Sequence, residues 1–197
     1  MHRKLLAIPL AIAVSACAQV PSVNPTTQVP DKIKGAANES LAMIAAAKGV
    51  QIYECRASKD AGTVEWVFVA PEADLFDTSG KKIGKHYAGP RWESIDGSTI
   101  AGTLKERIDA PQADAIPWLL LTARSVGPEG SFSKVTSVQR VNTVGGAAPK
   151  TGCVSASVGQ VACMPYAADY YFLVARARSE SPQAAPVRGP ERPAGAY

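Results

Sequence analysis

From residue 50 onward the chain alternates short apolar runs with turn residues. VQIYEC (50–55), VEWVFVA (64–70), KKIGKHYA (81–88), RWESI (91–95), STIAGTLKERI (98–108), PWLLLTARS (117–125), SFSKVTSVQRVNT (131–143) and DYYFLVARA (169–177) are rich in β-branched and aromatic residues. Asp60-Ala61-Gly62, Ser79-Gly80, Gly89-Pro90, Asp96-Gly97, Gly127-Pro128 and Gly145-Gly146 punctuate them as turns. One strand per roughly ten residues, with no helical stretch between, predicts an all-β, single-domain sandwich or barrel-like set of antiparallel sheets. The 64–70 and 117–121 runs are apolar on both faces and read as central strands. Ahead of them, Asn38 is a suitable N-cap, Leu41, Ile44, Ala45 and Lys48 fall on one helical stripe, and Gly49 is placed to stop it. This predicts one short N-terminal helix.

The two ends have a different texture. His2, Arg3 and Lys4 precede an apolar run from Leu5 to Val14, too short to cross a hydrocarbon core of roughly 30 Å as a helix, and residues 1–16 read as a signal peptide. Val14-Ser15-Ala16-Cys17 resembles the bacterial lipobox, which makes Cys17 the expected lipidation site and a membrane the expected partner. Ala18 stands where an aspartate would resemble an inner-membrane retention signal, so the expected location is the outer membrane, facing the periplasm. Residues 17–37 read as a Pro- and Thr-containing tether, 38–178 as the folded domain, and 179–197, with four prolines, as a disordered tail.

Removing Arg3 and Lys4 with the signal segment lowers the formal net charge from +4 to +2, without any basic run. That argues against a nucleic-acid surface, which needs clustered Lys and Arg. Besides Cys17, three cysteines remain, Cys55, Cys153 and Cys163, and an oxidising compartment favours one bridge among them. Cys55 with Cys153, Cys153 with Cys163, and Cys55 with Cys163 are all open on spacing. There is no CxxC pair, and one histidine remains outside the signal segment, so neither a metal nor any other cofactor is expected.

The densest chemistry lies in KHYAGPRWESIDGS (85–98). A strand, a Gly-Pro turn and a second strand there would present His86, Arg91, Trp92, Glu93 and Asp96 at a sheet corner, a polar cluster beside an aromatic platform suited to a glycan or small polar ligand. The competing reading is an envelope hydrolase with Glu93 and His86 as acid and base. Carboxylates roughly 5 to 9 Å apart suffice for glycoside hydrolysis, with Asp77 or Asp96 as partner to Glu93. A serine hydrolase lacks its GxSxG elbow, and a zinc hydrolase lacks its histidines. Trp66 and Trp118 sit inside apolar runs and read as core. Gln139, mid-strand beside Arg140, reads as a structural hydrogen bond inside the sheet packing.

GVQIYEC (49–55), Trp66, Pro71, HYAGPRWE (86–93), DGS (96–98), PWLLL (117–121), VTSVQRVNTVGG (135–146) and YAADYYF (166–172) together resemble the DUF3455 family, exported β-rich proteins without an established activity. The resemblance covers about residues 38–178, and it implies a single domain but no reaction. It also implies the Cys55–Cys153 bridge, because those two stand in motif-like positions and Cys163 does not. The 86–96 corner gains weight as a ligand site for the same reason. A dinucleotide-binding role has no support, since no GxGxxG separates a strand from a helix.

Overall fold

The computed structural model describes residues 28–59 and 62–177. The signal segment, Cys17 and the tail from 179 lie outside them. Eight antiparallel strands form a closed barrel in sequence order: β1 (Glu39–Ala57), β2 (Val64–Phe76), β3 (Lys82–Tyr87), β4 (Arg91–Ser94), β5 (Thr99–Ile108), β6 (Trp118–Ser125), β7 (Val135–Gly145) and β8 (Val161–Ala175). The last strand closes on the first, from Glu39 opposite Ala175 to Glu54 opposite Val161. Closure satisfies every long strand on both sides and leaves no edge to aggregate.

The short N-terminal helix expected at 38–49 is not formed; those residues open β1. Helix propensity is overridden here by pairing with β2 on one side and β8 on the other. Ala45, Ala46 and Ala47 are all buried, so small side chains meet neighbours on both faces of the wall. Gly49 has a different task from stopping a helix. A Cβ there would run into the Glu72 carbonyl of β2, so glycine lets the two strands approach. At the other end of the chain, β8 starts at Val161, eight residues before the apolar run suggests, and residues 131–134 turn before β7 begins.

Alternation sorts the side chains into two clusters. Inside the barrel lie Leu75, Trp92, Ile100, Leu121, Val138, Tyr170 and Phe172 with their neighbours. On the outer wall, Trp118, Leu120, Val141 and Tyr171 are capped by Ile33, which is fully buried. Ile33 belongs to a 3-10 turn, Asp31–Ile33, so the second half of the supposed tether is packed against the body. Gln139 Nε2 donates to the Ile33 carbonyl at 2.6 Å. Its bond is structural, as read, but it is made on the outside of the wall. Trp118 is buried in this outer cluster. Trp66, read as core, is only half-buried and donates through Nε1 to the Thr151 carbonyl at 2.9 Å. It meets the loop around Thr151 and Gly152, while Phe68 and Val69 of the same run are exposed.

A Cys55–Cys153 disulfide ties the end of β1 to the loop before β8, across 98 residues. Chain-entropy reasoning credits a cross-link of that span with about 5 kcal/mol. Among the described residues Cys163 has no disulfide partner, and it is exposed.

Candidate functional site

The β3–β4 hairpin turns at Gly89-Pro90, and its register sends alternate residues to opposite sides of the wall. His86 lies opposite Trp92 and both point inward; Lys85 lies opposite Glu93, and Tyr87 opposite Arg91, all on the outside. The His86 and Trp92 rings stack with centroids 4.5 Å apart, and Tyr170 from β8 meets them edge-on at 5.0 and 5.5 Å. Gly102 on β5 makes the space, since a Cβ there would press on the Trp92 ring at 2.8 Å. His86 Nδ1 lies 2.8 Å from the Arg91 carbonyl, which can only accept, so Nδ1 carries the proton and Nε2 is left as an acceptor. Burial pushes the His86 pKa down to about 3; the bond to Arg91 opposes this and the charge of Arg140 adds to it. The ring is therefore neutral at physiological pH.

The five residues singled out at this corner do not surround one space. Glu93 stands on the outer surface, accepting from the Tyr87 hydroxyl at 2.8 Å and facing Lys85 Nζ at 3.2 Å. The Tyr87 hydrogen bond leads in holding its pKa below the usual range. Glu93 and His86 both border a groove beside Gly49 and Tyr87, but the His86 ring is turned inward onto Trp92 while the Glu93 side chain is on the outside of the wall. Arg91 is exposed on the outside with Glu93. Asp96 sits in the β4–β5 turn as a brace: Oδ1 accepts from the Ser98 amide and hydroxyl, and Oδ2 from the Ser131 amide and hydroxyl, all within 2.6 to 2.9 Å. Those bonds, with the two hydroxyls foremost, drive its pKa far below the usual carboxylate range. Asp77 is likewise occupied, accepting from Ser79 and Lys81 in its own turn. Among the described residues no three His, Cys, Asp or Glu side chains gather where they could hold a metal ion.

His86 and Trp92 instead form part of the floor of a cavity of about 470 Å³ at one end of the barrel. Its walls are mostly apolar, with Phe68, Val69, Pro71, Leu104, Ile116, Leu119 and Leu121, and it contains Gln51, Tyr53, Tyr170, Arg107 and Arg140. Among the described residues no Asp or Glu lines it. Arg140 reaches inward from β7, donating Nε and Nη2 to the Pro117 carbonyl at 3.1 and 2.8 Å. Just beyond it the strand bulges: Asn142 has a φ of 51° and its amide donates to Asp169 at 2.7 Å. The Tyr53 hydroxyl is satisfied by the Gly146 carbonyl at 2.8 Å. Several neighbouring groups are not satisfied. Gln51 Nε2, Trp92 Nε1 and the hydroxyls of Tyr166 and Tyr170 are buried without a hydrogen-bond partner. The two hydroxyls and the Gln51 amide stand close enough to influence one another's ionisation, yet none completes a bond. Burial raises the pKa of both tyrosines, and the charge of Arg140 works against it.

Sequence reading reached the His86–Trp92 floor but missed Gln51, Tyr166, Tyr170 and Arg140 as a group. The available signal was polar or phenolic side chains at inward positions of strands that pair only after closure. Across known proteins, the family model described as Protein of unknown function (DUF3455) matches residues 36–174. No curated protein and no solved structure matches the chain.

Proposed function

This chain belongs to the DUF3455 family, which carries no assigned activity, and from that premise we propose that the barrel is a binding module that takes one small organic molecule into its open end. The observation that carries this reading is the cavity: about 470 Å³, apolar-walled, floored by His86, Trp92 and Tyr170 and holding buried polar atoms without partners. Eight-stranded up-and-down barrels are wide enough for one such ligand, and buried polar groups are ordinarily satisfied by something. A glycan at the 86–96 corner would need Trp92 as an open platform beside Arg91 and Glu93. Trp92 is 1% exposed and faces away from both, so the ligand we infer is less polar and lies inside.

The test uses N-phenyl-1-naphthylamine, a neutral apolar fluorophore. We expect saturable uptake at one molecule per chain with quenching of tryptophan emission, and loss of uptake in Leu119→Trp, which fills the cavity. No uptake, or uptake unaltered by the filled cavity in a variant with native circular dichroism, overturns the reading.

We also propose that the module works at a membrane surface, held by a lipidated Cys17 at the outer membrane and facing the periplasm; the lipobox-like Val14-Ser15-Ala16-Cys17 supports this. Cys17→Ser should move the protein from the membrane fraction to the soluble one, and retention of the variant in the membrane fraction would count against the anchor.

A further inference from the structure

We propose that the ligand of this cavity is an organic acid anion with an apolar body, its carboxylate held by Arg140. This rests on the binding reading above and adds to it the chemical class of the molecule.

The argument begins with charge. Arg140 is half-buried in the barrel mouth, and none of the ion pairs among the described residues includes it. The cavity has a second guanidinium, Arg107, at its exposed rim, and no carboxylate among the described residues that line it. An uncompensated cation among aromatic and aliphatic walls is costly unless something anionic joins it. The hydrogen bonds of Arg140 then fix how an anion would dock. Nε and Nη2 both donate to the Pro117 carbonyl, which occupies the side edge of the guanidinium. One N–H on Nη2 and both on Nη1 are not used by that bond, and the end edge offers the parallel fork that suits a carboxylate.

Two nine-tenths-buried neighbours lining the cavity support this. The Tyr170 hydroxyl, beside Arg140 and the Tyr166 hydroxyl, and Gln51 Nε2, beside the Tyr166 hydroxyl, can both donate, and among the described residues neither reaches hydrogen-bond geometry with a partner. Donors without a completed bond, beside a cation in no ion pair, call for a ligand with oxygen acceptors and negative charge. The rest of the surface is apolar, and the His86–Trp92 stack offers ring faces, so the body of the molecule must be hydrophobic. A free phosphate or a sugar acid would leave those walls unfilled.

The test displaces N-phenyl-1-naphthylamine from the full-length protein with decanoate and with decanol at pH 7.5. These share a chain and differ in the charged head. We expect decanoate to compete at least tenfold better, that preference to shrink with added salt, and Arg140→Met to bring the two to parity. Because Arg140 also holds Pro117, so that its loss can cost the fold, Arg140→Lys is run beside it; it keeps the charge, loses the fork and should retain only part of the preference. If the fluorophore binds but wild-type protein does not distinguish acid from alcohol, the anion assignment falls and the binding reading stands. A preference undiminished in a folded Arg140→Met also overturns the assignment. If neither fluorophore nor either competitor binds, both readings fall.

Discussion

The two ends of the barrel are built from the same strands and finished in opposite ways. At one end Phe132 drops into the interior, stacks on Phe172 at 4.8 Å and is itself 1% exposed. The loop that carries it is fastened by Asp96, and the Phe132 amide donates to the Ser98 hydroxyl at 3.1 Å. Every polar group named there has a partner. At the other end the interior stays open, Phe68 and Leu104 stand about half exposed at the rim, and tyrosine, glutamine and arginine side chains face a space they do not fill. Packing and polar satisfaction have been completed where the chain needs stability and left incomplete where it faces solvent. That contrast, more than any single residue, supports placing the proposed binding site at the open end.

His86 lies between the two regimes and should give the largest measurable effect. Its folded pKa of about 3 is below the ordinary 6.5, so between those values the unfolded chain binds more protons than the folded one. The stability gained by keeping the ring neutral is complete above pH 6.5 and is lost as pH falls toward 3, by roughly 4 kcal/mol. Urea midpoints measured across that window should fall in wild type, and His86→Met should flatten most of the slope. An equal slope in the variant would assign the acid sensitivity elsewhere. Next, Phe132→Ala should cost about 3 kcal/mol in urea unfolding, because it opens a void in the closed end. The smallest effect belongs to the rim: Phe68→Ser should change stability by no more than about 0.5 kcal/mol. Comparable losses from Phe132→Ala and Phe68→Ser would erase the distinction between the ends.

Much of the barrel was legible in the sequence. Runs such as VEWVFVA and PWLLLT mark strands wherever they occur, and Gly89-Pro90 and Asp96-Gly97 mark turns by backbone chemistry alone. The first half of β1 was not legible, because ESLAMIAAAKG carries a helical stripe and its strand state depends on partners from both chain ends. At the site the limit was the same. Alternation tells that His86 and Trp92 share a face and that Arg91 and Glu93 share the other. It does not tell which face is inward until β8 has closed on β1. Arg140 and Gln51 look like surface residues for that reason: a polar side chain at an inward position reads as an outward one one step out of register.

The seam between β1 and β8 has a further consequence for how the molecule comes into being. The first strand finds its second partner more than a hundred residues later, from Glu54 with Val161 to Glu39 with Ala175, and the Arg176 amide still reaches back to the Asn38 carbonyl at 2.7 Å. Contacts that distant in sequence are slow to form. A chain arriving N-terminus first must hold β1 with one side unpaired until the last strand exists. Completion is thus a single late event at the seam, and a chain cut short before residue 161 would keep two bare edges in place of a cylinder.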